Sequence, residues 1–239
     1  MSFHHSSICL ILASIFAVTA TAQVESEKPK GSGKDRGPAV RLLLLAPGSN
    51  SMELFAIAGE VVIETFMVGT VNLGAPVFPG ARVFNLAIKS ASTESGFEKI
   101  ATVTLPQTGS SFIVLLEPQN GKTFIPYAIS SRQQGFEADA TLFFNATDVQ
   151  VGAVFGKKRS LIRQRRVEIV AAPPRQGDLP YYPVELYHPE GDGLKLFASS
   201  RWLHREKGRN YVFIFREHAS GRVDYQTFHE DLEHSAVPP

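Results

Sequence analysis

Gly109-Ser110-Ser111-Phe112-Ile113-Val114-Leu115-Leu116 and Gly208-Arg209-Asn210-Tyr211-Val212-Phe213-Ile214-Phe215 decide the fold. Each passes from a glycine and two polar residues into five apolar ones. Runs of that length are short for a helix and rich in β-branched and aromatic side chains. Because side chains alternate across a strand, an unbroken apolar run predicts a central strand covered on both faces. Turn signals follow, Asn120-Gly121-Lys122 in one case and Ser220-Gly221-Arg222 in the other. Beyond them Thr123 to Tyr127 and Arg222 to Phe228 read as the returning strands of hairpins. In the second, Val223, Tyr225 and Thr227 alternate with Asp224 and Gln226, the pattern of a strand wet on one face. Pro126 has no amide to donate, so the first returning strand is an edge strand or ends early.

The two runs align with each other at a shift of ninety-nine residues, and the likeness extends outward. At a shift of one hundred, Val40 to Ala46 falls on Ala140 to Ala146, with Leu42 on Leu142. Leu54-Phe55 falls on Val154-Phe155, and the apolar stretch from Val61 on Leu161-Ile162. Matched blocks that keep their order and their turn glycines point to an internal duplication. Each copy holds about six or seven short strand-like runs without helical periodicity. The expected fold is therefore all-β: two tandem immunoglobulin-like sandwiches, residues 40–135 and 136–228, with one larger sandwich or barrel made from both copies as the alternative.

The flanks carry other information. Ile8 to Ala20 is an uncharged apolar run ending in Ala20-Thr21-Ala22, which reads as a signal peptide cleaved before Gln23. It falls short of the ~20 residues that span a bilayer. Cys9, the sole cysteine, lies inside it, so the mature chain is expected to have no thiol. That excludes disulfides, thiolate catalysis and Cys-based zinc sites. A disulfide-free exported β-protein points to a bacterial periplasm or a secreted setting, and makes Asn145-Ala146-Thr147 plain strand sequence. Residues 23–39 mix both charges with Gly and Pro and read as a flexible linker. Gly31-Ser32-Gly33-Lys34 there lacks the strand, the second glycine and the Ser/Thr of a phosphate loop. A net charge of +1 argues against a dedicated nucleic-acid binder.

No nucleophile elbow, dinucleotide fingerprint or metalloprotease helix occurs, and no cofactor is implied. Every histidine after the signal segment lies late: His188, His204, His218, His229 and His234. They allow a metal-dependent or hydrolytic enzyme as an alternative function. His229-Glu230-Asp231-Leu232-Glu233-His234 has the wrong spacing for a zinc helix, however, and residues 229–239 read as an acidic tail. Charge patterning gives the stronger lead. Lys157, Lys158, Arg159, Arg163, Arg165 and Arg166 crowd into ten residues without an acid. Arg163 and Arg165 are expected to share one strand face, with Lys157 to Arg159 in the preceding turn. Such a ridge suits an anionic envelope polymer, a lipid headgroup or an acidic protein surface. It would equally be neutralised by Glu230, Asp231 and Glu233 folding back. Tyr181, Tyr182, Tyr187 and Trp202 leave a carbohydrate-binding module open, although Trp202 sits in a strand-like run where burial is usual. The reading is a non-enzymatic exported module whose second copy is the binding half.

Overall fold

A computed structural model describes residues 37–46, 49–119 and 122–232. The signal-peptide run, the Gly31 to Lys34 segment, Glu233 and His234 lie outside them. The described residues are all-β, with fifteen strands, and belong to one compact unit. The first half holds β1 (Ala39–Leu44), β2 (Met52–Ala58), β3 (Val61–Val68), β4 (Val83–Lys89), β5 (Phe97–Thr104), β6 (Ser111–Pro118) and β7 (Phe124–Ser130). The second holds β8 (Ala140–Asn145), β9 (Val151–Phe155), β10 (Lys158–Ile162), β11 (Val167–Ala171), β12 (Tyr181–Glu190), β13 (Gly193–Leu203), β14 (Gly208–Arg216) and β15 (Val223–Asp231).

Each half is a sandwich of two sheets, and no sheet closes into a barrel. In the first half, sheet I has the order β3-β2-β4-β5 and sheet II the order β1-β6-β7. In the second, sheet IV repeats the first order as β10-β9-β12-β13, and sheet III the second order as β11-β8-β14-β15. In both halves the opening strand pairs in parallel with the apolar run, β1 with β6 and β8 with β14. The extra strand β11 has a one-residue counterpart in the first half, the antiparallel bridge between Val40 and Val77. The immunoglobulin order would put the third strand beside the sixth and seventh; here the third strand flanks the second, at the edge of the other sheet.

Three cores follow from the stacking order I-II-III-IV. Leu42, Val114, Leu54 and Phe84 fill the space between sheets I and II. Phe143, Val212, Phe155 and Val184 do so between sheets III and IV. A third core joins the halves: Leu43, Ile113 and Leu115 meet Leu142, Phe144, Tyr211 and Phe213 between sheets II and III. This is why β6 and β14 read as unbroken apolar runs, since both of their faces are dry. The third core also revises the alignment of the halves. Leu42 points into its own sandwich, whereas Leu142 points into the core between sandwiches. Matching Leu42 with Leu142 is therefore one residue out of register, and a one-residue slip exchanges the faces of a strand.

Polar contacts also cross between the halves. Glu230 is 6% exposed and accepts from Arg41 of β1, from Arg209 and from the Tyr211 hydroxyl. Gln226 donates to the carbonyl of Thr70. The connection 131–139 is pinned as well: Phe136 is buried, edge-on to Tyr211 and beneath the Arg209 guanidinium. Residues 229–231, expected in an acidic tail, belong instead to β15, and Glu230 is a buried group.

Candidate functional site

The ridge residues sit along one side of the second sandwich, where the chain leaves sheet IV and enters sheet III. Gly156 takes a left-handed φ of 57° to turn β9 into β10, an easy conformation for a residue without a Cβ. Lys157, Lys158 and Arg159 project from this tight hairpin, all exposed. Strand β10 then ends at Ile162, so Arg163 and Arg165 do not share a strand face as expected. They lie in the short crossing to β11, and Arg165 has a positive φ of 55°. The sequence carries no Gly or Pro there to mark the bend. What makes it is the Asn145 backbone, whose carbonyl accepts from the Arg165 N–H and whose amide donates to the Arg166 carbonyl.

The six cations divide into two groups. Arg163 pairs with Glu168 at 3.1 Å. Arg165 reaches the first half, 3.6 Å from Glu117 and over the Tyr127 ring. Glu117 is held by the Tyr127 hydroxyl too; burial pushes its carboxyl up and the charge of Arg165 opposes this. Neutralisation is thus partial, and its ion pairs among the described residues come from Glu168 and Glu117. Lys157, Lys158, Arg159 and Arg166 form no ion pair among the described residues.

Asn145, read as strand sequence rather than a glycan acceptor, is fully buried at the end of β8. Its amide donates to the carbonyls of Val149 and Ile162, and its side-chain oxygen accepts from Thr147.

The histidines are scattered rather than gathered. His188 bonds locally to Pro189 and His218 lies exposed in a turn. His204 has its side chain 3% exposed, with Nδ1 2.8 Å from the carboxylate of Asp139 and its ring against Tyr182. Asp139 holds a left-handed φ of 58° and accepts the Arg205 N–H as well. The pair ties the entry to β8 to the end of β13, and chemically it is an imidazole oriented by a carboxylate. Burial, and then the charge of Asp139, push the Tyr182 hydroxyl up to about 12, with Thr141 opposing. No cluster of three or more metal-ligating side chains occurs among the described residues.

His229 sits on β15 against Gly208. A Cβ at residue 208 would come within 2.3 Å of the imidazole and 2.8 Å of the Glu230 carbonyl, so this glycine serves space rather than backbone freedom. Partial burial and the neighbouring Arg205 charge hold the imidazole below its usual range. Close by, Trp202 and Arg205 line a cleft on the opposite side of the sandwich from the ridge, while the Arg201 guanidinium lies over the Tyr181 ring on the outer face of sheet IV. Trp202 is half-buried, stacked on Phe143 and edge-on to Phe155. The reading of the sequence missed this grouping. Its available signal was Arg205 following closely on the sole tryptophan.

No helix among the described residues is long and apolar enough to cross a membrane. Neither a scan of protein-family models nor a search of curated proteins finds a match to this chain.

Proposed function

We propose that the protein is a non-enzymatic exported module of a bacterial envelope, built by internal duplication, whose second sandwich holds an anionic partner. The partner is an anionic envelope polymer, a lipid headgroup or an acidic protein surface. The observation that carries this reading is the Lys157-Lys158-Arg159 hairpin with Arg166. These cations are exposed at one edge of the sandwich, and none of them forms an ion pair among the described residues. The matched strand orders of the halves support the duplication, and the run from Ile8 to Ala22 supports export. An unanswered cation cluster attracts anions over roughly a Debye length, ~8 Å at physiological salt.

The test is retention on polygalacturonate beads and on phosphatidylglycerol vesicles at low and physiological salt. Retention that weakens with salt and is lost in a K157E/K158E/R159E/R166E variant supports the reading. Failure of both surfaces to retain the protein, or undiminished retention of the variant, overturns it. The His204–Asp139 pair favours a hydrolytic alternative. A panel of ester and glycoside substrates tests it, with H204A required to abolish any turnover found.

A further inference from the structure

Sheet IV ends in β13, at eleven residues the longest strand among the described residues, and β13 pairs only with β12. In the first sandwich the corresponding edge is sealed. Phe124 and Ala128 of β7 pack into one core with Ile100 and Val103 of β5, and Lys122 bridges to Glu98. In the second, Phe197 of β13 meets Tyr225 of β15 edge-on, but beyond it a cleft of about 270 Å³ opens beside Trp202 and separates the two strands. Phe197 is the extra residue of a bulge, since Leu186 pairs with Ala198 and Tyr187 with Leu196. From Ala198 to Leu203 the strand is regular, with no proline and no charge turned inward, devices that commonly protect an edge.

This bare edge has a definite hydrogen-bonding pattern. The His204 amide donates to the Pro180 carbonyl, one step beyond the Tyr181–Leu203 pair, and antiparallel pairs alternate between bonded and non-bonded. The backbone groups of Ser200 and Trp202 therefore turn to β12, and those of Ser199, Arg201 and Leu203 turn outward. Pro183, opposite Arg201, fits the alternation, because its carbonyl accepts from Gly156 on the other side of β12. The side chains alternate as well. Ala198 and Trp202 pack against the core, whereas Arg201 lies over Tyr181 on the outer face, between Ser199 and Leu203.

We infer that β13 pairs antiparallel with β13 of a second copy of the chain about a two-fold axis at Ser200, joining two copies of sheet IV into one eight-stranded sheet. Ser199 of each copy then exchanges both backbone hydrogen bonds with Arg201 of the other, using amides and carbonyls that otherwise face water. The edge is self-complementary in this register, as a two-fold contact requires. The small Ser200 side chains meet at the axis, and Ala198 lies opposite the bulky Trp202. Leu203 reaches Leu196 of the second copy, because the bulge takes Phe197 out of step; both leucines are nearly half exposed in the single chain. Arg201 comes beside Ser199 of the second copy, whose own neighbour on the outer face is Glu185, so opposite charges flank the seam twice. The β3 edge lacks this fit: Glu64 interrupts its apolar run, and just past its end the Gly69 carbonyl is taken by the Leu44 amide.

The seam is short, so association is expected with a Kd of roughly 1–100 µM. Sedimentation velocity at concentrations on either side of that range should show monomer passing into dimer. S199P removes an outward amide that β12 does not use, and should weaken association by roughly tenfold or more. R201E sets a carboxylate towards Glu185 and should weaken it several-fold, whereas I63K on β3 should leave it unchanged. Unfolding temperatures check that the variants fold. In a C9S background, S200C should give a disulfide-linked dimer on mild oxidation, because a non-bonded antiparallel pair brings facing Cα atoms to about 4.5 Å. I63C in the same background should not. A monomer at every concentration, a dimer indifferent to S199P in a folded variant, or a dimer that S200C fails to link would overturn the assignment. Should S199P not fold, R201E and S200C decide. None of these variants touches the basic hairpin, so the pairing and the anionic-partner reading stand or fall separately.

Discussion

Glu230 is the residue on which the two halves agree. Burial alone would raise its pKa, but the Tyr211 hydroxyl and the Arg41 and Arg209 guanidiniums more than reverse this and hold the carboxyl at about 2, below its ordinary 4.5. The folded state therefore binds the proton less readily than the unfolded chain. The stabilisation is complete above about pH 4.5 and is lost as the pH falls towards 2. E230Q is expected to lower stability at pH 7 by roughly 2–4 kcal/mol, because it leaves two partly buried guanidiniums without their counter-charge. Its unfolding midpoint should also change less than the wild type's between pH 5 and pH 3, which denaturant titrations at the two pH values would show. Gly208 makes a second residue-scale test. G208A is expected to cost about 1–3 kcal/mol through overpacking. H229A should relieve only part of that, since the Glu230 carbonyl stays in place; thermal unfolding of the single and double variants measures the difference. Neither residue declares its role in the sequence. Glu230 stands among acids near the chain end and looks solvated, and Gly208 looks like a turn glycine. Each is decided by a contact from another strand.

Among the elements, β6 and β14 were legible because burial on both faces leaves a run of apolar residues that no other element produces so briefly. Pro126 likewise marked β7 as an edge, and β7 lies at the edge of sheet II opposite Leu116. β15 was legible only in its first half. Val223 and Tyr225 face the core of the second sandwich as the alternation implies, but beyond them the sandwich opens, and Phe228 and Glu230 on the other face become the buried ones. One strand thus serves two cores in succession, and no local period shows that. The strand face expected to hold Arg163 and Arg165 was misplaced for a related reason: a chain crossing between sheets at Arg165 has no turn residue to announce it. A strand at the far side of the molecule gives an element-scale prediction. β3 is the outer strand of sheet I and exposes Val61, Ile63 and Met67. An exposed apolar edge invites pairing with another chain. I63K is expected to lower concentration-dependent light scattering on warming while shifting the unfolding temperature little.

For the whole molecule, the middle core makes the halves one cooperative body. Ile113 is fully buried between sheets II and III. I113A should cost about 2–5 kcal/mol. Because neither inner sheet has another cover for that face, a single calorimetric transition is expected for the wild type and the variant alike. Two resolved transitions would show the sandwiches to be independent. The sequence displayed the two halves but not their stacking, since a residue's apolar character is silent about which of two cores it enters. That silence produced the one-residue slip between Leu42 and Leu142. The parallel closure of each half has a further consequence in time. Val40 can complete its sheet only when Phe112 is present, and Leu142 only when Tyr211 is. Contacts so distant along the chain make folding slow. The sandwich of each half therefore stays incomplete until nearly all of that half has been synthesised, even though its other sheet can already pair.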